Sequence, residues 1–290
     1  MNTWTVLRIL EWSTQFLRDR GCSSPRLDAE LLLSHALGCE RIQLYTQFDK
    51  PLSDAERARY KTILVRRGRH EPIAYILGSR EFFSLDFIVS PNVLIPRPET
   101  ELLVEKVLEN TAVHRRVLDW GTGSGCIAIT LATHRPEWEI TALDISRDAL
   151  IIARKNALRH ACSDRITFID SSTMINNSFD IIISNPPYIV DEEYTALMSD
   201  VRDFEPKQAL AAGPEGMTAY TELFKCISHH AADECMIVIE TAPSVAEGLR
   251  SLALHAGLEG VALHTDYAGA VRMLTGEIKK TTSALSHNGK

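Results

Sequence analysis

From Arg116 onward the chain alternates short apolar runs with helical segments, and this rhythm limits the possible folds more than any other feature of the sequence. Val117 to Trp120, Ile140 to Asp144, Ile166 to Ile169, Asp180 to Ser184 and Met236 to Glu240 read as strands, because continuous aliphatic runs of this length have both faces covered. Ile127 to Ala132, Ala149 to Leu158, Ala219 to His230 and Val245 to Ala256 read as the helices between and after them. Strand and helix in turn predict crossover units and therefore an α/β fold, a doubly wound and mostly parallel sheet. The close differs. Val261 to Thr265 and Val271 to Thr275 are joined by a short turn through Asp266, Tyr267 and Gly269, which predicts an antiparallel final pair.

Open sheets of this kind hold ligands beyond the carboxyl ends of their strands, so the residues just past each strand are the functional candidates. After the first strand, Asp119, Trp120, Gly121, Thr122, Gly123, Ser124 and Gly125 lead into a helix, and such glycines let the backbone approach a ligand at a helix N-terminus. A dinucleotide fingerprint needs glycine at position 126, which is Cys126 here. GxGxG with Asp119 upstream resembles instead the first motif of S-adenosylmethionine-dependent methyltransferases. Asp144, ending the second strand, is placed to hold ribose hydroxyls, as either cofactor requires. Asp170, after the third, is either an acceptor for an adenine amino group or a surface turn residue.

The fourth strand runs into Asn185, Pro186, Pro187 and Tyr188. Proline has no N–H, so the two prolines offer only carbonyl acceptors on a stiff backbone, and the Asn185 amide adds a further acceptor and a donor. That set suits a planar NH2 group, with Tyr188 expected to pack against the plane of the amide. The nitrogen of a carboxamide or a nucleobase shares its lone pair with a π system and is a poor nucleophile; fixed acceptors on both N–H bonds favour the geometry in which the lone pair is free to attack. The bland alternative is a proline-rich turn that only ends a strand, and the order of glycine loop, Asp144 and Asn185 to Tyr188 argues against it.

Upstream, Thr5 to about Gly78 reads as a small helical bundle. Ser24 and Pro25 form an N-cap and first-turn pair, Gly38 sits where a C-cap glycine belongs, and Ser53 with Glu56 forms a capping box opening a helix to about Arg69. Arg57, Arg59, Lys61, Arg66, Arg67 and Arg69 make that helix basic, either a solvated face or a surface for an acidic partner or RNA. Glu81 to Val89 alternates like a short hairpin. Ile95 to Glu101 joins two prolines and Arg97 to an apolar helix, Leu102 to Leu108; it is a rigid helix start whose Arg97 and Thr100 are candidates to line a pocket. The expected division is a helical domain over 1–80, a hairpin and linker over 81–98, the α/β domain over 99–277 and a loose tail over 278–290.

Bulk properties exclude several classes. A length of 290 residues holds about two domains. A net charge of −7 argues against a protein whose affinity rests on neutralising nucleic-acid phosphates. Cys22, Cys39, Cys126, Cys162, Cys226 and Cys235 are scattered without metal-ligand spacing, which fits reduced thiols in the cytoplasm and no bound metal. The N-terminus, with Arg8 and Glu11 in its first apolar stretch, is no signal peptide, and no apolar run approaches bilayer length.

With these residues in place the chain resembles class I methyltransferases, and more closely the N5-glutamine methyltransferase family that modifies peptide-chain release factors. The resemblance spans nearly the whole chain: Glu71, Pro72, Tyr75 and Gly78; Phe82; Ile95 to Glu101; Asp119 to Gly125; Asn185 to Tyr188; Glu205, Pro206, Ala209 and Leu210; Gly213 and Gly216; and Asp266, Gly269 and Arg272. Ile95 to Glu101 is its most family-specific part, since Asn-Pro-Pro-Tyr turns also occur in DNA adenine methylases. The sequence departs from the family pattern at Trp120, expected to crowd the cofactor loop, at Ser171 and Ser172, and at Thr241 to Pro243. The resemblance implies a seven-stranded Rossmann-like sheet and S-adenosylmethionine as methyl donor. It also implies a release-factor partner recognised through the helical domain, with the glutamine of a Gly-Gly-Gln loop as acceptor. A monomer is expected, and the acidic balance and the short apolar runs predict no direct DNA or membrane role. Rival readings are a glutamine methyltransferase acting on a ribosomal protein, an adenine methyltransferase, and a silent module that binds a translation factor.

Overall fold

The structure, a computed structural model, describes residues 3–279. It divides into two compact units, Met1–Ser79 with Met198–Phe204 and Arg80–Leu197 with Glu205–Lys290. Among the described residues no helix is long and apolar enough to cross a membrane.

The first unit is helical: α1 (Val6–Arg18), α2 (Pro25–Leu37), α3 (Arg41–Thr46), α4 (Asp54–Arg67) and α5 (Ile73–Leu77). Leu10, Leu17, Leu32, Leu33, Leu44 and Tyr60 form its core. The helix ends follow local chemistry. Thr5 accepts from the Arg8 N–H, Gly38 closes α2 at φ 65°, and Ser53 and Glu56 cap each other's backbone at the start of α4. Ser24 stands at its N-cap position without a side-chain bond. Arg67 departs from the solvated basic face expected of α4: it is 4% exposed and donates to Asp28 at 2.7 Å, with Asp200 at 3.8 Å. That ion pair explains why the short segment 198–204 belongs with this unit, a link the sequence pattern does not reveal.

The second unit begins with a hairpin, β1 (Ser79–Phe82) and β2 (Leu85–Ile88), whose turn residues Phe83 and Ser84 have φ of 50° and 60°. Paired left-handed residues are what a two-residue primed turn requires. A 3-10 turn, Pro98–Thr100, then opens α6 (Glu101–Leu108). The α/β part continues through β3 (Arg116–Trp120), α7 (Cys126–His134), β4 (Glu139–Leu143), α8 (Arg147–Arg159), β5 (Ile166–Ile169) and β6 (Phe179–Ser184). Two short helices, α9 (Asp191–Ala196) and, in the segment that belongs to the first unit, α10 (Ser199–Arg202), were not expected from the sequence, which has no apolar periodicity there. The chain ends with α11 (Thr218–His230), β7 (Ala231–Glu240), α12 (Ala246–His255), β8 (Glu259–Thr265) and β9 (Val271–Ile278). Ile278 closes β9, and the rest of the expected tail, from residue 280, lies outside the described residues.

The seven strands form one sheet in the order β5-β4-β3-β6-β7-β9-β8. β9 runs antiparallel to both β7 and β8, while β3 to β7 pair in parallel. The expected doubly wound sheet with an antiparallel close is therefore present. Helices cover both faces: α7 and α8 supply Ile129, Leu131 and Ala153 to one core, and α11 and α12 supply Leu223, Ile227 and Leu249 to the other. The strand order reverses between β3 and β6, the switch point where such sheets bind ligands.

One buried side chain ties the hairpin to the loop after β3. Asn156 of α8 is fully buried; its Oδ1 accepts from the Ile88 N–H at 2.7 Å, and its Nδ2 donates to the carbonyls of Ile88 and Ser124 at 3.0 and 2.8 Å. Asn156→Ala strips partners from three backbone groups, the buried Ser124 carbonyl and the partly buried N–H and carbonyl of Ile88. A loss on the order of 2–4 kcal/mol is expected, measured as the fall in urea midpoint at unchanged slope; no measurable loss would show that water replaces the side chain.

Candidate active site

A cavity of about 840 Å³ opens beyond the carboxyl ends of β3, β4 and β6. Its floor is the glycine loop. Gly121 (φ 77°) and Gly123 (φ 56°) line it in backbone conformations that other residues rarely adopt, and a Cβ on either would project into open space. Gly125 has a different task. It does not line the cavity, and a Cβ there would meet Ile129 Cδ1 at 2.8 Å and Ala153 Cβ at 3.2 Å, so this glycine serves the packing of α7 on α8.

Asp119 braces the loop from below. It is fully buried, and its Oδ2 accepts from Thr122 Oγ1 at 2.6 Å and from the Ala128 N–H at 3.1 Å, while Oδ1 has no partner among the described residues. Burial pushes its carboxyl up to about 7 against the pull of those two donors. Asp144 lies at the cavity wall. Its two oxygens each take one backbone N–H, from Ser146 and Gly123, both at 2.8 Å, and keep acceptor capacity for a ligand. Burial raises its carboxyl as well. Leu94, Trp120, Leu143 and Ile145 make the neighbouring wall apolar. Trp120 thus forms wall rather than displacing the loop, and its carbonyl accepts from Ser184 Oγ at 2.7 Å. A paired-hydroxyl acceptor beside an apolar wall and an open glycine floor fits the nucleoside part of S-adenosylmethionine.

Asn185 and Pro187 line the same cavity from the end of β6. Pro186 is buried and outside the lining, and Tyr188 turns inward so that its hydroxyl donates to Glu240 Oε1 at 3.3 Å. The Asn185 Nδ2 donates to Thr100 Oγ1 at 3.0 Å, and Thr100 donates onward to Glu240 Oε2 at 2.7 Å. Thr100 lines the cavity, with its hydroxyl committed to this chain.

Two further candidates lie elsewhere. Arg97 is not among the lining residues; it donates to the buried Glu205 at 2.6 Å, and Glu205 also accepts from the Ile95 N–H at 3.1 Å, so this pair braces the 95–101 stretch. Asp170 is likewise outside the lining, because its carboxylate is drawn to Arg147 of α8 at 2.9 Å, and Ser172 and Thr173 form the cavity edge instead. Glu240, Glu205 and Asn156 are the residues the sequence reading left without a role. The signal for Glu240 was available: like Asp119, it is an acidic residue at the carboxyl end of an apolar strand.

Comparison with known proteins sorts these features. Residues 8–78 match the PrmC N-terminal domain model and residues 98–203 the methyltransferase small domain model. A release factor glutamine methyltransferase of Rhodopirellula baltica is 42% identical over 283 residues, spanning 94% of this chain and 96% of that one. The chain belongs to the release factor glutamine methyltransferase family. A Vibrio cholerae protein of the same family name is 37% identical over 284 residues, 97% of this chain and 99% of that one. Among solved structures, a methyltransferase from Pyrococcus furiosus superposes with a TM-score of 0.52 at 17% identity over 77% of this chain and 99% of its own, which shows a common fold. Membership of the release factor glutamine methyltransferase family makes the enzyme a protein-glutamine methyltransferase that uses S-adenosylmethionine.

Two outcomes follow for the loop. Gly123→Ala places a methyl group in the cavity at a left-handed position, and binding of S-adenosylhomocysteine is expected to weaken about tenfold, read by calorimetry; unchanged affinity would remove the loop from the cofactor site. Asp119 has a folded carboxyl near 7 against an ordinary 3.8. Its contribution to stability is therefore full below about pH 4 and is lost as pH rises through 7. Asp119→Asn is expected to gain on the wild type in urea midpoint between pH 4 and pH 8; a difference constant with pH would refute the burial of that charge.

Proposed function

We propose that this enzyme methylates the side-chain amide nitrogen of the glutamine in the Gly-Gly-Gln loop of peptide-chain release factors, in the cytoplasm, and that its helical unit recognises the factor. The observation that carries the reading is one cavity lined by the glycine loop, by Asp144 and by the Asn185 end of an acceptor turn. The likeness to release factor glutamine methyltransferases over almost the full length supports the substrate. The six cysteines form no disulfide, which fits a reducing compartment.

In this reading Gly121, Gly123 and Asp144 hold the donor, with Asp144 accepting from its ribose hydroxyls. S-adenosylmethionine, when bound, supplies an electrophilic methyl group on a sulfonium sulfur. Asn185 Oδ1, at the cavity wall, accepts one N–H bond of the glutamine amide, and the carbonyl of Pro186, a buried residue between the lining residues Asn185 and Pro187, accepts the other. Held this way, the amide nitrogen is pinned in position and its lone pair faces the cavity, so positioning supplies the rate. Pro187 stiffens the turn. Tyr188, expected to pack on the amide plane, is instead held inward by Glu240 and anchors the far end of the turn. A methylated amide nitrogen is acidic enough to lose its proton without a strong base.

The test is incubation with labelled S-adenosylmethionine and purified release factor, ribosomal proteins and DNA in parallel. Label on the release factor, lost when its loop glutamine is replaced, is expected; label confined to a ribosomal protein or to DNA would overturn the assignment. Asn185→Ala should lower turnover on the order of 100-fold while cofactor affinity survives. Equal loss of both would remove Asn185 from the acceptor site.

A further inference from the structure

The carboxylate of Glu240 is bonded to both Thr100 and Tyr188 yet is not among the residues that line the cavity. It is 1% exposed at the end of β7, next to β6, where Ser184 pairs with Ile239. Both of its oxygens are taken by donors that control opposite ends of one motif: Thr100 on Oε2 at 2.7 Å, and Tyr188 on Oε1 at 3.3 Å. Its own carbonyl accepts from Tyr220 at 3.0 Å.

We infer that Glu240 is a positioning residue that acts through Thr100 to fix which face of the Asn185 amide is presented to the substrate. The inference rests on the glutamine reading above and follows from counting hydrogens. An ionised carboxylate only accepts, so the single O–H of Thr100 must point at Glu240. Thr100 Oγ1 is then left with acceptor capacity alone, and the Asn185 group facing it must be the NH2, as the 3.0 Å contact has it. Asn185 Oδ1 therefore faces away from Thr100 and has no hydrogen-bond partner among the described residues. That is the polarity a glutamine NH2 needs, because the substrate nitrogen brings two donors and no acceptor.

A proton on Glu240 reverses the order. The carboxylic O–H can donate to Thr100, which frees the threonine hydrogen to reach Asn185; the amide then turns, Oδ1 faces Thr100, and an NH2 group opposes the incoming NH2. Donor would meet donor. The charged and titratable groups around Glu240 divide between the two states: Glu99 and burial favour its protonated form, while Arg272 and the Thr100 and Tyr188 hydroxyls favour the carboxylate, with Tyr220 and Cys126 also nearby. The carboxyl stands at about 7, raised chiefly by burial.

The experiment uses the full-length enzyme with intact release factor and compares wild type, Thr100→Ser, Thr100→Val and Glu240→Gln. Calorimetry with S-adenosylhomocysteine reports the cofactor site and the fold of each variant. Thr100→Val and Glu240→Gln are expected to lose about 100-fold in kcat with cofactor affinity within about twofold of wild type. Thr100→Ser, which keeps the hydroxyl, should recover kcat to within about threefold of wild type. At saturating cofactor the wild-type kcat should fall below about pH 7, and Glu240→Gln should lack that limb. Retention of kcat by Thr100→Val, failure of Thr100→Ser alongside it, or an acid limb that persists in Glu240→Gln would each overturn the inference. Should Glu240→Gln not fold, the two Thr100 variants decide alone. A wild type that does not label release factor at all would refute the substrate reading instead, so the two failures are distinct.

Discussion

The active site depends on the parallel pairing of β3 with β6. Trp120 lies opposite Ser184 at the end of that ladder, and the Ser184 hydroxyl donates to the Trp120 carbonyl at 2.7 Å, locking the two strand ends in register. The next residue of one strand is Gly121, which opens the glycine loop; the next of the other is Asn185, which opens the acceptor turn. Neighbouring strands lie roughly 4.8 Å apart. Donor loop and acceptor turn are therefore set side by side by backbone hydrogen bonds, before any side chain contributes. A slip of one residue would send Ser184 to the opposite face and break the alignment.

Side chains then refine what the sheet has placed. Three acids, Asp119 and Glu240 buried and Asp144 half-buried, stand at or just past the ends of β3, β7 and β4, and each restrains a loop: Asp119 holds Thr122 and the start of α7, Asp144 holds Gly123 and Ser146, and Glu240 holds Thr100 and Tyr188. Each carboxyl is raised by burial, so each is kept in place at a cost in electrostatic free energy. Such groups persist where the loop geometry they enforce is needed for function. Glu205 has a similar bracing task for the 95–101 stretch through Arg97 and the Ile95 N–H. The result is an acceptor turn fastened from β7, from the helix start at Thr100 and from its own tyrosine.

The parts of this arrangement that were legible in the sequence are those set by local pattern. Strand and helix periods gave the sheet, the glycines and Asp119 marked the loop, and two prolines after an apolar run marked the turn, because each signal lies within a few residues. What the sequence concealed is carried by pairs far apart in the chain: Thr100 meets Glu240 across 140 positions, Arg97 meets Glu205 across 108, and Asn156 meets Ile88 across 68. The side-chain directions of Arg97 and Asp170 were open for the same reason; each is decided by a partner, Glu205 or Arg147, that no short-range rule selects. Tyr188 was expected to pack against the substrate amide, and the buried Glu240, 52 positions on, draws it inward instead.

The central claim is that the acceptor turn presents oxygen atoms to a glutamine NH2 beside the cofactor loop. A crystal structure of the enzyme with S-adenosylhomocysteine and a Gly-Gly-Gln peptide tests it most directly. The glutamine nitrogen is expected within hydrogen-bond distance of Asn185 Oδ1 and the Pro186 carbonyl, facing the thioether sulfur, with Asn185 Nδ2 still on Thr100. A glutamine bound away from Asn185, or one whose carbonyl oxygen rather than nitrogen meets that side chain, would contradict it.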